Sequence, residues 1–259
     1  STVTVQVGGA PYPAIAPGGT WSIDLATATP TQGSLSLNAN GANTVSATAA
    51  DAAGNVSAPG TQSLTIDTTA PNAPAVTTTL SNTTTPVIAG TAEAGSTVTV
   101  TVGGATYTTT ATGGNWSINL ATETPTAGVP SLNANGPNTV SATATDAAGN
   151  TSSAGTQSLT IDTTLPNAPA VTSAALSNST TPTLSGTAEA GSTVTVTIGG
   201  ATYTAIATGG NWSINLATAT PTQGSLSLNP HGAHTVSAPA TDTPGNVSAP
   251  ALHSLVIDT

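Results

Sequence analysis

Residues Ser96 to Gly104 read Ser-Thr-Val-Thr-Val-Thr-Val-Gly-Gly, and this stretch decides the fold class. Its strict alternation of Val with Thr is typical of a β-strand with one buried face, and it predicts that Val98, Val100 and Val102 point into a core. The Gly103-Gly104 pair predicts a two-residue hairpin turn, because such turns need positive φ. Thr, Ser, Val and Gly dominate the rest of the chain, so we expect an all-β protein.

The same stretch occurs three times, with further copies that begin at Ser1 and Ser192. The three Trp residues, Trp21, Trp116 and Trp212, follow the same period of 95 and 96 residues. This periodicity predicts a partial repeat that lacks the counterpart of Pro71 to Gly95, followed by two complete repeats: residues 1–67, 68–162 and 163–259. A window cut from a longer array explains the partial repeat; strands supplied by another chain are the alternative.

Alternation elsewhere predicts seven short strands in each complete repeat, which we label A to G. Seven strands in about 95 residues, separated by Gly, Asn and Pro, predict tandem immunoglobulin-like β-sandwich domains arranged end to end. We expect Val87 and Ala89 of strand B to face inward, and likewise Trp116 in strand E. The long connection 121–138 is expected to hold an extra short strand or to pack against a neighbouring domain. In the second repeat the predicted strands are A (73–80), B (85–92), C (97–102), D (106–112), E (116–120), F (139–145) and G (158–162).

The composition excludes several classes of function. The 259 residues include no Lys, Arg or Cys, and the formal net charge is −10. Without cations the chain has nothing with which to neutralise phosphates, so we expect no nucleic acid partner and no anionic membrane surface. Without Cys it has no disulfide or thiolate site. No apolar run is long enough for a spanning helix, and any targeting signal is expected to lie outside this stretch.

The acidic residues are expected to converge where one repeat meets the next. If the strands alternate in direction, the B–C and F–G turns lie at the pole where the chain arrives, which we call the N-terminal pole. This places Glu93 of the B–C turn and Asp146 of the F–G turn beside Asp67 of the linker. Two carboxylates about 5 Å apart repel by about 3 kcal/mol at an effective dielectric near 20, and no Lys or Arg offsets this repulsion. Oxygen ligands without His or Cys favour Ca²⁺.

The sequence therefore predicts a Ca²⁺ site at each junction. The alternative is that each Asp only stabilises its own turn through a side-chain bond to the backbone. The predicted ligands are Asp67, Glu93 and Asp146 at the first junction, Asp162, Glu189 and Asp242 at the second, and Asp51 and Asp258 as half-sites at the two ends.

Four motifs together carry a family resemblance: Ile-Asp-Thr-Thr-x-Pro, Gly-Thr-Ala-Glu-Ala-Gly-Ser-Thr-Val-Thr-Val, Asn-Trp-Ser-Ile and Ala-x-Asp-x-x-Gly-Asn. In this combination the chain closely resembles the bacterial Ig-like repeats of giant repetitive surface adhesins, the biofilm-associated and type I-secreted adhesins. The resemblance implies a secreted stalk at the bacterial cell surface, with Ca²⁺ at its junctions. Its expected partners are neighbouring repeats and a host or abiotic surface. Pro239 and Pro244 of the third repeat depart from the pattern.

Other functions are weighed against this one. No repeated spacing places Ser, His and Asp as a triad, so we expect no enzyme. His231, His234 and His253 occur only in the third repeat. Neutral substitution among polar residues at the surface explains them better than metal binding. A glycan- or surface-binding module is the alternative function, with Trp116 and Tyr107 as candidate contacts; the Trp alternation favours a core role instead. The outward Thr rows suggest ice binding less strongly, because the sequence offers no wider flat array.

Overall fold

The computed structural model describes residues 1–259 and is all-β apart from one 3-10 turn at Pro17–Gly19. Residues 1–67 form a single antiparallel sheet of four strands in the order β2-β1-β3-β4. No second sheet packs on it. Its strands are β1 (Thr2–Val7), β2 (Ala10–Ile15), β3 (Gly41–Ala50) and β4 (Gly60–Ile66).

The second repeat is a sandwich of two sheets. One has the order β10-β7-β5, and the other has the order β6-β12-β11-β8-β9. All pairs are antiparallel except β6 with β12, which is parallel. The strands are β5 (Ala75–Val76), β6 (Leu80–Ser81), β7 (Val87–Thr91), β8 (Thr97–Val102), β9 (Ala105–Thr110), β10 (Asn115–Asn119), β11 (Asn135–Thr145) and β12 (Gly155–Asp162).

The third repeat has the same two sheets, in the orders β13-β15-β18 and β14-β22-β20-β16-β17-β19. Strand F is interrupted here, because Pro239 cannot donate a ladder hydrogen bond and so separates β20 from β21. The strands are β13 (Ala170–Val171), β14 (Leu176–Ser177), β15 (Thr183–Thr187), β16 (Thr193–Ile198), β17 (Ala201–Ile206), β18 (Asn211–Asn215), β19 (Gln223–Gly224), β20 (His231–Ala238), β21 (Ala240–Thr241) and β22 (Ala251–Asp258).

These sheets confirm the predicted all-β sandwich class. The hairpin between β8 and β9 has φ of 56° and 81° at Gly103 and Gly104, as a two-residue turn with positive φ requires. In the E–F connection of the second repeat, for which an extra short strand was predicted, only an isolated bridge between Thr106 and Ala127 forms. The third repeat does have a short strand in this connection, β19, which pairs with β17. Every pair of strands lies within one repeat, although the positions of the repeat boundaries themselves stay a prediction.

The predicted inward faces are confirmed for strands C, E, F and G. Their apolar side chains, together with residues of strands B and D, form a core cluster of 14 buried residues in the second repeat and of 15 in the third. Trp116 lies against Gly90 of the neighbouring strand in the same sheet, where a Cβ would collide with the Ala75 carbonyl oxygen and with the indole ring. This contact explains a glycine in the middle of a strand.

The predicted phase of strand B is wrong. Val87 is 51% exposed, whereas Ile88 is fully buried. Gly90 must face the Trp116 ring, and residues that face one side of a strand alternate, so Ile88 takes the inward position and Val87 and Ala89 do not. In the third repeat the inward residue is likewise Leu184, beside Gly186.

Strand A is also corrected, because the predicted continuous strand 73–80 is two short strands in different sheets. Its first part, β5, pairs with β7, and its second part, β6, pairs with β12 of the opposite sheet. The chain crosses between the sheets at Thr77–Thr79, where the Thr77 and Thr78 hydroxyls bond to the carbonyls of Ala89 and Val87. Side-chain hydrogen bonds of this kind satisfy backbone groups that a regular ladder would otherwise pair.

Candidate functional site at the repeat junctions

The linker between repeats begins with a turn made by its aspartate. β4 ends at Ile66, and Oδ1 of Asp67 accepts a hydrogen bond from the Thr69 N–H at 2.9 Å. Asp162 makes the same bond to Thr164 at 2.9 Å. These are Asx turns, which short acidic side chains favour. The predicted turn role of both aspartates is therefore present at the start of each linker.

One peptide group of the first linker is held from both sides. The Thr68 N–H donates to Oδ1 of Asn40, which belongs to the first repeat, at 2.8 Å. The Asp67 carbonyl of the same peptide group accepts from Nδ2 of Asn150, which belongs to the second repeat, at 3.0 Å. Two adjacent repeats thus hold one rigid planar unit by side-chain hydrogen bonds, an arrangement that we call the peptide clamp.

The peptide clamp occurs again at the second junction. The Thr163 N–H donates to Oδ1 of Asn135 at 2.8 Å. The Asp162 carbonyl accepts from Nδ2 of Asn246 at 2.8 Å. Because the sequence positions and the atoms correspond, the clamp is a property of the repeat and not of one linker.

The F–G turn positions the clamping amide. Oδ1 of Asp146 accepts from the N–H groups of Ala148 and Asn150 at 2.9 and 2.8 Å, and Oδ2 accepts from Nδ2 of Asn150 at 2.9 Å. Gly149 has a φ of 93° and closes the turn. The Asn150 amide is thereby oriented by the carboxylate of Asp146 and donates at the same time to the linker carbonyl.

The third repeat keeps this turn despite Pro244, which replaces one N–H donor. Oδ1 of Asp242 accepts instead from Gly245 at 2.8 Å and from Asn246 at 2.7 Å. Oδ2 of Asp242 accepts from Nδ2 of Asn246 at 2.8 Å. The proline therefore changes the local bonding but leaves the clamping amide in place.

The hydrogen bond from the Asn150 side chain holds the pKa of the Asp146 carboxyl below its usual value; backbone donors act in the same direction, and partial desolvation opposes them. The Asn55 side chain lowers the pKa of Asp51 in the same way. The Asp51 turn has the same internal bonds, at 2.8 to 2.9 Å, but makes no bond to a linker. It is thus a matched reference for the Asp146 turn.

Glu93 and Glu189 lie in the B–C turns and are exposed. The Glu93 carbonyl accepts from the Ser96 hydroxyl at 2.7 Å, and no hydrogen bond involves its carboxylate. Glu93 and the linker residue Asn72 line one shallow cavity of about 340 Å³. Glu189 and Asn167 line the equivalent cavity of about 300 Å³. The B–C turn thus meets the linker a few residues after the clamp.

The structure brings the predicted acids to the same junctions but not into one cluster. No group of three or more His, Asp or Glu side chains lies close enough to hold a metal ion. Asp67 and Asp146 are joined through Asn150, while Glu93 stands apart from them. At the C-terminal end, Oδ1 of Asp258 lies 3.6 Å from Nδ1 of His231. The predicted ligand sets stay predictions.

The asparagines that hold the linker were not among the residues predicted from the sequence. The signal was present in the sequence, because the motif Asp-x-x-Gly-Asn ends in Asn in all three repeats. The clamping residues are Asn40 and Asn150 at the first junction and Asn135 and Asn246 at the second.

The outward Thr rows are wider than the sequence indicated. Thr97, Thr99 and Thr101 of β8 are in register with Thr110, Thr108 and Thr106 of β9 on one side and with Thr145, Thr143 and Ser141 of β11 on the other. The expectation of no wider array is therefore wrong for the second repeat. In the third repeat the equivalent face is interrupted by Ile206 and Leu252, which are exposed.

The aromatic candidates for glycan stacking are in the core. Trp116 and Tyr107 are almost fully buried, as are Trp212 and Tyr203. Buried rings offer no face to a sugar, so the core role predicted from the alternation of Trp116 with Ile118 is confirmed.

No helix of the chain has the length and apolar character needed to cross a membrane. A family model described as "Bacterial Ig-like domain" matches residues 75–163 and 170–259. Among curated proteins, none matches.

Similar solved structures include fibronectin-type arrays. The FN1-FN3 domains of chicken CNTN1 are 11% identical over all of this chain and 91% of theirs, with a TM-score of 0.43. The fibronectin(III)-like modules of Clostridium thermocellum CbhA are 14% identical over 71% of this chain and 90% of theirs, with a TM-score of 0.42. At these scores the likenesses carry no functional assignment.

Proposed function

The chain belongs to the bacterial Ig-like domain family, and on that premise we propose that it is a stalk segment of a repetitive bacterial surface adhesin. In this role it is secreted, stands at the cell surface and supports adhesion or biofilm formation without catalysing a reaction. Its direct partners are the neighbouring repeats of the same type.

The observation that carries this proposal is the peptide clamp. A stalk has to limit the rotation of one repeat against the next, and a linker of free single bonds does not do so. The clamp fixes one peptide group of each linker to the repeats before and after it, and it does so at both junctions. Its equal geometry at the two junctions is what a periodic rod requires.

We propose that Ca²⁺ strengthens the same junctions. The donors present have the right chemistry: they are carboxylates, exposed or half-buried, in a chain without Lys or Arg. Oδ2 of Asp67 and both oxygens of Glu93 accept no hydrogen bond within the chain. Because the three acids form no cluster, binding would have to draw the Glu93 turn toward the clamp. The ion would then supply the positive charge that the chain lacks.

Titration of Ca²⁺ into the full chain tests this part. We expect the melting temperature to rise with ion concentration, since a ligand that binds only the folded state at 100 times its Kd stabilises it by about 2.7 kcal/mol. Asp162→Asn keeps the Asx turn and the clamping carbonyl but removes a charge, so it should weaken Ca²⁺ binding at the second junction. Glu123→Gln, at an acid outside both predicted sites, is the matched control. No change in melting temperature or radius of gyration between chelator and millimolar Ca²⁺ would contradict the metal part alone.

A second candidate function is binding to a hydroxyl-rich surface, either a glycan or, less favoured, ice. The uncharged Thr and Ser face of β8, β9 and β11 supports it. Thr99→Glu should abolish any binding to crystalline polysaccharide or ice, whereas Thr195→Glu, on the interrupted face of the third repeat, should not. Equal effects of the two substitutions, or no binding by the unmodified chain, would count against this function.

A further inference from the structure

Strand β9 of the second repeat has a free edge over part of its length. Alternate residues of a strand direct their N–H and C=O groups to the same side. The Ala111 N–H donates on the β8 side, so odd-numbered residues of β9 face β8 and even-numbered residues face away from it. Of the latter, Thr106 is paired with Ala127 of the E–F connection. The backbone groups of Thr108 and Thr110 make no hydrogen bond within the chain.

A proline explains why the E–F connection does not pair with the rest of this edge. The connection runs antiparallel to β9 from the bridge between Thr106 and Ala127. Continued in that register, it would place Pro125 opposite Thr108. Proline has no N–H to donate to a ladder, so the pairing ends after the bridge.

The third repeat has the same free edge. β19 pairs with β17 as far as Thr202, and the same register would place Pro221 opposite Thr204. The backbone groups of Thr204 and Ile206 make no hydrogen bond within the chain. We call the two unpaired stretches, Thr108–Thr110 and Thr204–Ile206, the edge slots.

The first repeat closes the equivalent edge with prolines. Pro11 and Pro13 of β2 take the register positions of Thr106 and Thr108 in β9. Because those N–H groups point away from the ladder, the prolines cost no ladder hydrogen bond, and β2 has the same length as β9. Pro and Lys on an edge strand commonly prevent another chain from pairing with it. The edge slots contain neither, and the whole chain lacks Lys.

A polar groove lies beside the slot of the second repeat. Its volume is about 600 Å³, and no charged side chain lines it. Its lining includes Thr109 and Thr110 of β9 and Asn115 and Ser117 of β10. Side chains alternate along a strand, so a strand added at the slot would place one side chain beside Thr109, on the inner side. Hydroxyl and amide groups surround that position, which favours Thr or Ser there.

We propose that each edge slot binds a short extended segment of another protein, which adds to the sheet as an antiparallel strand. The free groups are main-chain donors and acceptors two residues apart, a spacing that another extended backbone matches. The partner continues the line that β19 and the Ala127 bridge begin on the same edge. Its segment contains no acidic residue, because the chain has a net charge of −10 and no Lys or Arg to offset an added carboxylate.

A second copy of the chain fits the slots poorly. The most direct arrangement pairs β9 with β9 of the copy around a two-fold axis. That register sets Thr108 opposite Thr110 of the copy and brings Thr112 of the copy to the position opposite Thr106. Ala127 already occupies this position. A flexible segment can instead leave the sheet after two residue pairs.

The experiment titrates the full chain, in the presence of chelator, with the synthetic heptapeptide Lys-Thr-Val-Thr-Val-Thr-Lys and follows backbone amides by ¹⁵N NMR. We expect one peptide to bind at each slot and the slot amides to shift downfield, as newly hydrogen-bonded N–H groups do. At free peptide about ten times its Kd, their exchange with solvent should slow about tenfold. The slot amides are those of Thr108, Thr110, Thr204 and Ile206.

Thr108→Pro should abolish binding at the second repeat and leave binding at the third unchanged. The substitution removes only an N–H that faces away from β8, as Pro13 does in the first repeat, so the melting temperature should change little. Thr108→Ala keeps the N–H and removes the hydroxyl; as the matched control, it should bind like the parent. Pro125→Thr leaves β9 intact and lets the E–F connection pair further along the edge, so it should also weaken binding at the second repeat.

Four results would overturn the proposal. The first is the absence of slot amide shifts at millimolar peptide. The second is equal binding by Thr108→Pro, and the third is loss of binding in Thr108→Ala, which would mean that a side chain and not the backbone is bound. The last is a concentration-dependent dimer of the chain alone that Thr108→Pro dissociates, which would make a second copy the occupant. No Ca²⁺ is present, so the proposal stands or fails separately from the stalk function.

Discussion

The Asp67–Thr68 peptide group is the smallest unit that connects two repeats. Its N–H and its carbonyl point in opposite directions, as in any trans peptide, so each can bond to a different repeat without strain. Asn is suited to both ends, because its side chain carries one acceptor and two donors. Asn150 uses both donors, one to Asp146 and one to the linker.

Asn150→Ala should loosen the first junction and leave the second unchanged. The substitution removes the bond to the linker carbonyl, which is worth about 0.5–1.5 kcal/mol. Asn55→Ala removes the equivalent turn bond to Asp51 but no linker bond, so the difference between the two variants isolates the clamp. Residual dipolar couplings should report greater motion between the first and second repeats only for Asn150→Ala. Equal motion in both variants would contradict the clamp.

The Asp146 turn should also respond to acid. Because the pKa of its carboxyl is lowered in the folded state, its contribution to stability is present above the unfolded value of about 3.9 and is lost as the pH falls through the folded pKa. Carboxyl ¹³C NMR should show Asp146 and Asp51 titrating below that value, and the first junction should loosen in the same window. If the first junction loosened already above pH 5, the titration of Asp146 would not be the cause and the prediction would be wrong.

At the scale of elements, strand B shows where sequence patterns mislead. The strand Val87–Thr91 begins with three apolar residues in a row. Alternation alone is therefore compatible with two phases, one with Val87 and Ala89 inward and one with Ile88 inward. The structure selects Ile88 because Gly90 must face the Trp116 ring in the neighbouring strand. This information is a contact between two distant segments, and no window of the sequence contains it.

The substitution Ile88→Ala tests this phase. A fully buried Ile replaced by Ala costs about 2–5 kcal/mol, whereas Val87→Ala at an exposed position should change the free energy of unfolding by only about 0.5 kcal/mol. Denaturant unfolding followed by amide exchange in β8 and β11 would measure both. A larger loss in the free energy of unfolding for Val87→Ala than for Ile88→Ala would contradict the observed phase and favour the one predicted from the sequence.

Strands C, E, F and G were predicted correctly because each has a long enough alternation to fix its own phase. Strand C carries three Val at alternate positions, and all three are buried. Strand A was not predicted correctly, because its three-residue crossing between sheets depends on hydroxyl bonds from Thr77 and Thr78 to strand B. At the candidate site the converging loops were predicted, but the asparagine bonds depend on atom positions that strand direction alone does not give.

At the scale of the whole chain, the three repeats share one sequence pattern but differ in how much of their surface is covered. Strands β3 and β4 correspond residue by residue to β11 and β12, with the same pairing register. The difference between them is the sheet formed by β5, β7 and β10, which has no counterpart over the first repeat. This makes the chain its own control for the contribution of one sheet to the stability of the other.

Amide exchange should therefore be faster in the first repeat than in the second at equivalent positions. Trp21 is 41% exposed and Leu64 is 39% exposed, so each forgoes about two fifths of a burial worth about 1.5–3 kcal/mol. We therefore expect β4 to exchange about tenfold faster than β12. The linker amide of Thr68, which is held by the clamp, should exchange more slowly than amides of the first repeat, because the second repeat restrains the same peptide group. Equal protection of β4 and β12 would contradict this prediction and would mean that Trp21 and Leu64 are covered in solution.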